Sequence, residues 1–362
     1  MDRSVDPVVT SYRSPALDLP GAVPPPDDSI DPGVPWHYGD PHAEQRALVD
    51  GRGAVDLSNR GVVTVAGPDR LTWLHSLTTQ RLDTLAPGES TTALILDPHG
   101  HVEHEMHVVD DGTTTWLTVE PGTTSALVAY LDSMRFMLRV QVADVTDDWA
   151  VVWQPVRSID DAHVTWLVPP DVAGLGFTEA GSDRGGDASK YLDHRPEVLV
   201  GREVLVPRGQ LVEVLGDARS GTWALEALRI AAAVPRVGAE TDHRTLPHEV
   251  GWVGPAVHLS KGCYRGQEAV ARVHNMGSPP RRLALLHLDG GAEALPRHGD
   301  PVVAGEREVG WVGSAARHYE FGPIATAVLK RTVAPDAALI VRSDVDIAAT
   351  QEVVITPGTP SR

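Results

Sequence analysis

The chain has 362 residues, 42% of them apolar, with a formal charge of −18 at pH 7 and a single cysteine. That length exceeds the usual size of one core and predicts two or three subdomains, which the apolar share can stabilise without metals or disulfides. The negative field argues against direct nucleic-acid binding, the lone thiol excludes an intrachain disulfide, and no apolar run approaches the roughly 18–20 residues that a membrane helix needs.

The first residues, Met1-Asp2-Arg3-Ser4-Val5-Asp6-Pro7, carry acids and no apolar stretch, so no secretory signal is read there and the cytoplasm is the expected location. Residues 1–35 include Pro24-Pro25-Pro26-Asp27-Asp28, lack periodicity and predict a disordered arm. Order is expected from Trp36, with a short helix over 41–50. A strand over 62–66 runs into Gly67-Pro68-Asp69, where proline suits a first helical position. Leu71, Trp73, Leu74 and Leu77 then give an amphipathic helix ending near Gln80.

Strands follow at 92–96 and 101–109, joined by the turn residues Pro98-His99-Gly100, and at 114–119. A helix over 125–137 precedes strands at 139–145, 149–154 and 164–168. Gly181–Ser189 reads as a flexible loop, and Trp223–Ala233 as a helix. Beyond a linker at Gly277–Pro280, short strands at 283–288, 301–304, 308–315, 324–329, 338–341 and 352–355 alternate with Gly, Pro and Asp turns. That rhythm predicts a small β-barrel or sandwich. Strands and helices mixed in this way indicate an α+β protein rather than a doubly wound sheet, divided into 1–35, 36–276 and 281–358.

The cysteine lies in Lys261-Gly262-Cys263-Tyr264-Arg265-Gly266-Gln267-Glu268. Two glycines allow tight turns around the thiol, and Gln267–Arg272 could open a short helix. A thiol near a helix N-terminus and flanked by Lys261 and Arg265 is biased toward thiolate, and the same cationic corner could hold a carboxylate. A lone cysteine is also commonly a small buried hydrophobe, and both readings stay open on chemistry alone.

The eight-residue segment resembles the hallmark motif of the YgfZ family of folate-binding proteins, relatives of the glycine cleavage T-protein (aminomethyltransferase). Val55-Asp56-Leu57-Ser58 with Val65-Ala66-Gly67-Pro68-Asp69 resembles the opening of the folate-binding domain, and Leu225-Glu226-Ala227-Leu228-Arg229-Ile230 its Leu-Arg helix. The likeness spans about Trp36 to Thr356. It implies three subdomains in a ring around a tetrahydrofolate site, two of them interleaved α+β units and the third a small barrel. It also implies an accessory role, as a partner of iron–sulfur enzymes that include tRNA-modifying ones. On that resemblance Lys261, Gly262, Cys263, Tyr264, Gln267, Glu268 and Arg229 line or support the folate site.

The sequence departs from T-proteins where these carry an Asp-Asp pair after a Gly-Gly turn; here His104 and Glu105 stand in those places. The Tyr-Thr-Gly-Glu folate motif is absent, and Ala231-Ala232-Ala233 replaces the Glu and Gly that continue the Leu-Arg helix. These departures favour the accessory role over turnover. The alternative is a folate-dependent one-carbon transferase acting on a small amine, with Glu105 as the carboxylate near the reacting amine and Cys263 as a second candidate for chemistry.

Other constellations are weaker. His104-Glu105-Met106-His107 is one residue short of the His-Glu-x-x-His zinc pattern, and the strand period puts His101, Glu103, Glu105 and His107 on one face. A solvated polar face looks the same, so no metal is expected. Cys263 with His243, His248 or His258 lacks an orienting third group for a hydrolase. Arg281-Arg282 and Lys330-Arg331 read as ordinary barrel surface, and no dinucleotide or P-loop glycine pattern follows a strand.

Overall fold

Helix α1 (Pro41–Val49) is followed by strands β1 (Ala54–Asp56) and β2 (Gly61–Ala66), which enter different sheets of the computed structural model. The structure describes residues 12–156, 158, 162–168, 199–276, 278–291 and 294–355. β2 joins β3 (Ser90–Leu96), β4 (Val102–Asp110), β5 (Thr114–Val119) and β6 (Gln141–Asp144) in the antiparallel order β3-β4-β5-β2-β6. β1 joins β7 (Trp149–Gln154), β8 (Val164–Leu167), β9 (Arg202–Pro207) and β10 (Arg219–Ser220) in the order β10-β1-β7-β9-β8. The two sheets are thus interleaved along the chain, as the family resemblance implied.

Each sheet buries one face under helices. Trp73, Leu74 and Leu77 of α2 (Arg70–Leu77) and Leu127 and Leu131 of α3 (Thr124–Ser133) cover Val63, Val65, Ile95 and Met106. Full burial of each such side chain contributes roughly 1.5–3 kcal/mol. Leu211 and Leu215 of α4 (Leu211–Leu215) cover Val152, Val204 and Val206. Helix α5 (Thr222–Ala231) has two buried faces. Ala224 and Leu225 meet the second sheet's core, while Ala227 and Ile230 meet the barrel.

Helix α6 (Gln267–Met276) leads into the barrel strands β11 (Arg281–Leu288), β12 (Pro301–Ala304), β13 (Arg307–His318), β14 (Gly322–Lys330), β15 (Leu339–Arg342) and β16 (Asp346–Val353). Their order is β11-β14-β13-β12-β15-β16, and pairing of β11 with β16 closes the ring and removes free edges.

Several expectations are corrected. Residues 12–35 are not a disordered arm but a strap along the second sheet. Tyr12 and Ser58 share a 2.7 Å hydroxyl hydrogen bond, Ser14 Oγ donates to Asp56 at 2.5 Å, and Val34 and Asp31 are buried. Tertiary partners compensate here for what local periodicity lacks. Residues 1–11 lie outside the described residues, as do the 181–189 loop and Gly277 of the linker.

Helix α3 stops at Ser133 rather than 137 because Phe136 takes φ 46°, and Phe136, Met137 and Leu138 are exposed. Helix α2 starts at Arg70, and the Asp69 carboxylate bonds Arg139 rather than capping it. The last strand is 346–353; Val354 and Ile355 instead pack beside α5. Arg281 and Arg282 are not ordinary surface: Arg281 pairs with Asp242 (2.6 Å) and Glu249 (2.7 Å), and Arg282 is fully buried.

Candidate functional site

Strand β4 alternates in register, so Met106 and Val108 point into the first sheet's core while Glu105 and His107 point the other way. There they meet Glu203 of β9, Trp166 of β8 and the end of α5. The result is a cavity lined by residues of both sheets and of α5. Its apolar wall comes from Leu57, Leu225, Val234 and the indoles of Trp153, Trp166 and Trp252.

The polar wall is an ion lattice. Arg236 donates to Asp31 (2.8 and 2.9 Å), Glu120 (3.0 and 2.5 Å) and Glu226 (2.8 Å). Arg60 bonds Glu203 at 2.6 Å. Arg229 donates to Glu226, Glu240, the Val234 carbonyl and Ser314 Oγ of the barrel strand β13. Paired guanidiniums of this kind fix geometry more than they add stability, because desolvation offsets much of the attraction.

Four carboxylates (Glu105, Glu120, Glu203, Glu226) and four bases (Arg60, His107, Arg229, Arg236) line the cavity. Asp31 and Glu240 stand behind the arginines, so acids exceed bases by two. The surroundings favour a ligand that donates N–H groups over one that presents a carboxylate.

The titration shifts follow from these contacts. Burial opposes charge on Glu203, but His107 and Arg60 outweigh it and pull the carboxyl down to about 2. Burial likewise opposes a charged His107, and Glu203 and Glu105 outweigh it, raising the imidazole to about 9. His104, on the opposite side of β4 beside Tyr130, is lowered by burial alone.

Two polar atoms at the cavity have no partner among the described residues. Glu105 meets His107 Nε2 through Oε1 at 3.3 Å, and no described residue donates to its Oε2. The buried Nε of Arg60 is also unsatisfied. The buried Arg60 Nε is costly unless a ligand or water completes it.

Of the residues expected from sequence, Glu105 and Arg229 line the cavity. Arg229 has spent its N–H groups on protein partners, so it holds the barrel to the cavity wall rather than offering itself to a ligand. Lys261, Gly262, Cys263, Tyr264, Gln267 and Glu268 are not among the lining residues. The buried Lys261 ammonium donates to the carbonyls of His75 and Thr78 and closes the C-terminus of α2; burial lowers it to about 8. Tyr264 packs among Leu94, Leu96, Val102 and Val257.

Arg265 pairs with Glu103 at 2.9 Å, and Cys263 is exposed. The two cations expected to form a niche around the thiol are therefore committed elsewhere. Gly266, at φ 83°, lies where an added Cβ would come within 2.6 Å of the Asp97 carbonyl, so the segment docks closely on the β3–β4 turn. Sequence reasoning missed Glu203, Trp166 and Asp31. An acid immediately before the apolar run Val204-Leu205-Val206 was the available signal for Glu203.

Among the described residues no group of three or more His, Cys, Asp or Glu is placed to hold a metal, and no helix is long and apolar enough to cross a membrane.

Residues 33–153 match the GCVT N-terminal domain family. An aminomethyltransferase of Streptomyces coelicolor is 28% identical over 81% of this chain and 82% of that protein. One from Nostoc is 26% identical over 80% of each. The glycine cleavage system aminomethyltransferase T of Bartonella henselae superposes with a TM-score of 0.68 over 94% of both chains at 17% identity, which shows the shared fold. Together these likenesses support a relationship to the glycine cleavage T-protein family.

Proposed function

We propose, taking kinship with the T-protein family as the premise, that this chain binds a reduced folate in the cavity and serves one-carbon transfer from a small amine. The observation that carries the reading is the pairing of three indole walls with the Glu105 Oε2, to which no described residue donates. A flat, N–H-rich heteroaromatic ring suits that combination, since aromatic faces bury it and a carboxylate accepts from its edge. The unsatisfied Arg60 Nε offers a complementary donor. Tetrahydrofolate fits these residues and would supply nitrogens that accept and carry the one-carbon unit.

The chain's own contribution is to bind, to exclude water and to place a carboxylate. Glu105 is positioned to hold the ammonium of an amine donor or to take its proton. The apolar wall beside it lowers the local dielectric and strengthens that contact. Calorimetry with tetrahydrofolate, and formation of methylene-tetrahydrofolate from amine donors, test this directly. Saturable binding with turnover lost in Glu105→Gln is the expected result; a wild-type protein that binds no reduced folate defeats it.

An accessory role toward iron–sulfur enzymes, including tRNA-modifying ones, is the second reading. It is favoured by His104 and Glu105 standing where T-proteins carry an Asp pair and by the Lys261–Glu268 segment. Folate binding without turnover on any amine, together with loss of iron–sulfur enzyme activity in a deletion strain, would select it.

A further inference from the structure

We infer that His107 is a positioning residue of the cavity: its ring bridges the buried carboxylate of Glu203 and the cavity-facing carboxylate of Glu105, and so sets which Glu105 oxygen is left for a ligand's N–H. The inference deepens the folate reading and rests on it for its effect on ligand, although the bridge itself does not.

The geometry is specific. Nδ1 lies 2.9 Å from Glu203 Oε2 and Nε2 lies 3.3 Å from Glu105 Oε1. A neutral imidazole has one N–H, so a hydrogen-bonded carboxylate at Nδ1 with a second carboxylate close to Nε2 favours the doubly protonated ring. The ring lies flat on Trp166, with centroids 3.6 Å apart and planes 3° apart. That indole is itself fixed by donation from Nε1 to the Thr91 carbonyl at 2.9 Å. Stacking holds the imidazole in plane, and an aromatic face favours its cation.

Glu203 is buried and both of its oxygens already accept from the protein. Arg60 Nη1 occupies Oε1, while Thr118 Oγ1 (3.0 Å) and His107 share Oε2. It therefore acts as an anchor. Glu105 has one oxygen on His107 and one with no partner among the described residues. The charged groups facing His107 are Glu203 from β9 and Glu105 from its own strand, with Arg60 behind Glu203; Trp166 from β8 is uncharged. Removing the cation would free Glu105 to rotate and leave two carboxylates without the base between them.

The test has two arms on the full chain. In the ligand-free protein, imidazole NMR signals of His107 are followed from pH 6 to 10 in wild type and Glu105→Gln. The expected titration lies near 9 in wild type and falls by about one unit in Glu105→Gln. A wild-type titration near 6.5, or one that Glu105→Gln leaves unmoved, overturns the bridge. In the second arm tetrahydrofolate is titrated calorimetrically against wild type and His107→Gln between pH 6.5 and 9.5.

His107→Gln is expected to bind about tenfold more weakly at pH 7 and to lack the decline in affinity expected of wild type as pH approaches 9. Equal affinity and an unchanged pH profile overturn the positioning role. Should His107→Gln fail to fold, the NMR arm decides the bridge alone. A wild-type protein that binds no tetrahydrofolate but shows the expected His107 titration defeats the folate reading and leaves the bridge standing.

Discussion

His107 gives the folded chain a pH dependence whose sign can be worked out. Its folded pKa, about 9, lies above the ordinary value near 6.5. The stabilisation is therefore present in full below about pH 6.5 and lost as pH rises through 9. Glu203 behaves oppositely: its folded value near 2 lies below 4.5, so its contribution is present above about 4.5 and lost as pH falls toward 2. Urea unfolding is expected to show greatest stability from these two groups between about pH 4.5 and 6.5, and His107→Gln is expected to flatten the alkaline limb. An alkaline limb of the same slope in the variant would contradict the bridge.

At the scale of single elements, the segment most conspicuous in the sequence does structural work. Lys261 caps α2, so Lys261→Met leaves the His75 and Thr78 carbonyls without their donor. It is expected to cost about 1–3 kcal/mol in urea unfolding while leaving tetrahydrofolate affinity unchanged. Gly266→Ala forces a side chain into a left-handed backbone against the Asp97 carbonyl, and a stability loss of about 1–3 kcal/mol is expected. The β2, β5 and β7 strands and the barrel strands other than β16 were legible from apolar runs and turn residues. β1 and β10, with three and two residues, are too short to carry a period. The motif showed which segment is unusual but not what it faces, because spacing along the chain does not reveal that Arg265 reaches Glu103 or that Lys261 reaches α2.

Across the whole molecule, the cavity is assembled from distant parts: Asp31 from the N-terminal strap, Glu105 and His107 from the first sheet, Glu203 from the second, and Arg229 tied to the barrel. Its α+β layers were foreseeable from the order of elements, and their interleaving and the closed barrel from the family resemblance, whereas the ion lattice was not, since each member looks like an ordinary surface charge. Asp31→Ala leaves Arg236 buried with fewer partners and is expected to cost about 1.5–3 kcal/mol, read by thermal or urea unfolding. If residues 12–35 were dispensable, that variant would match wild type. The placement of the ligand in this cavity, rather than beside the thiol, is tested most directly by tetrahydrofolate titration of wild type, Glu105→Gln and Cys263→Ala. A tenfold or greater loss confined to Glu105→Gln is expected; a loss confined to Cys263→Ala would contradict the account.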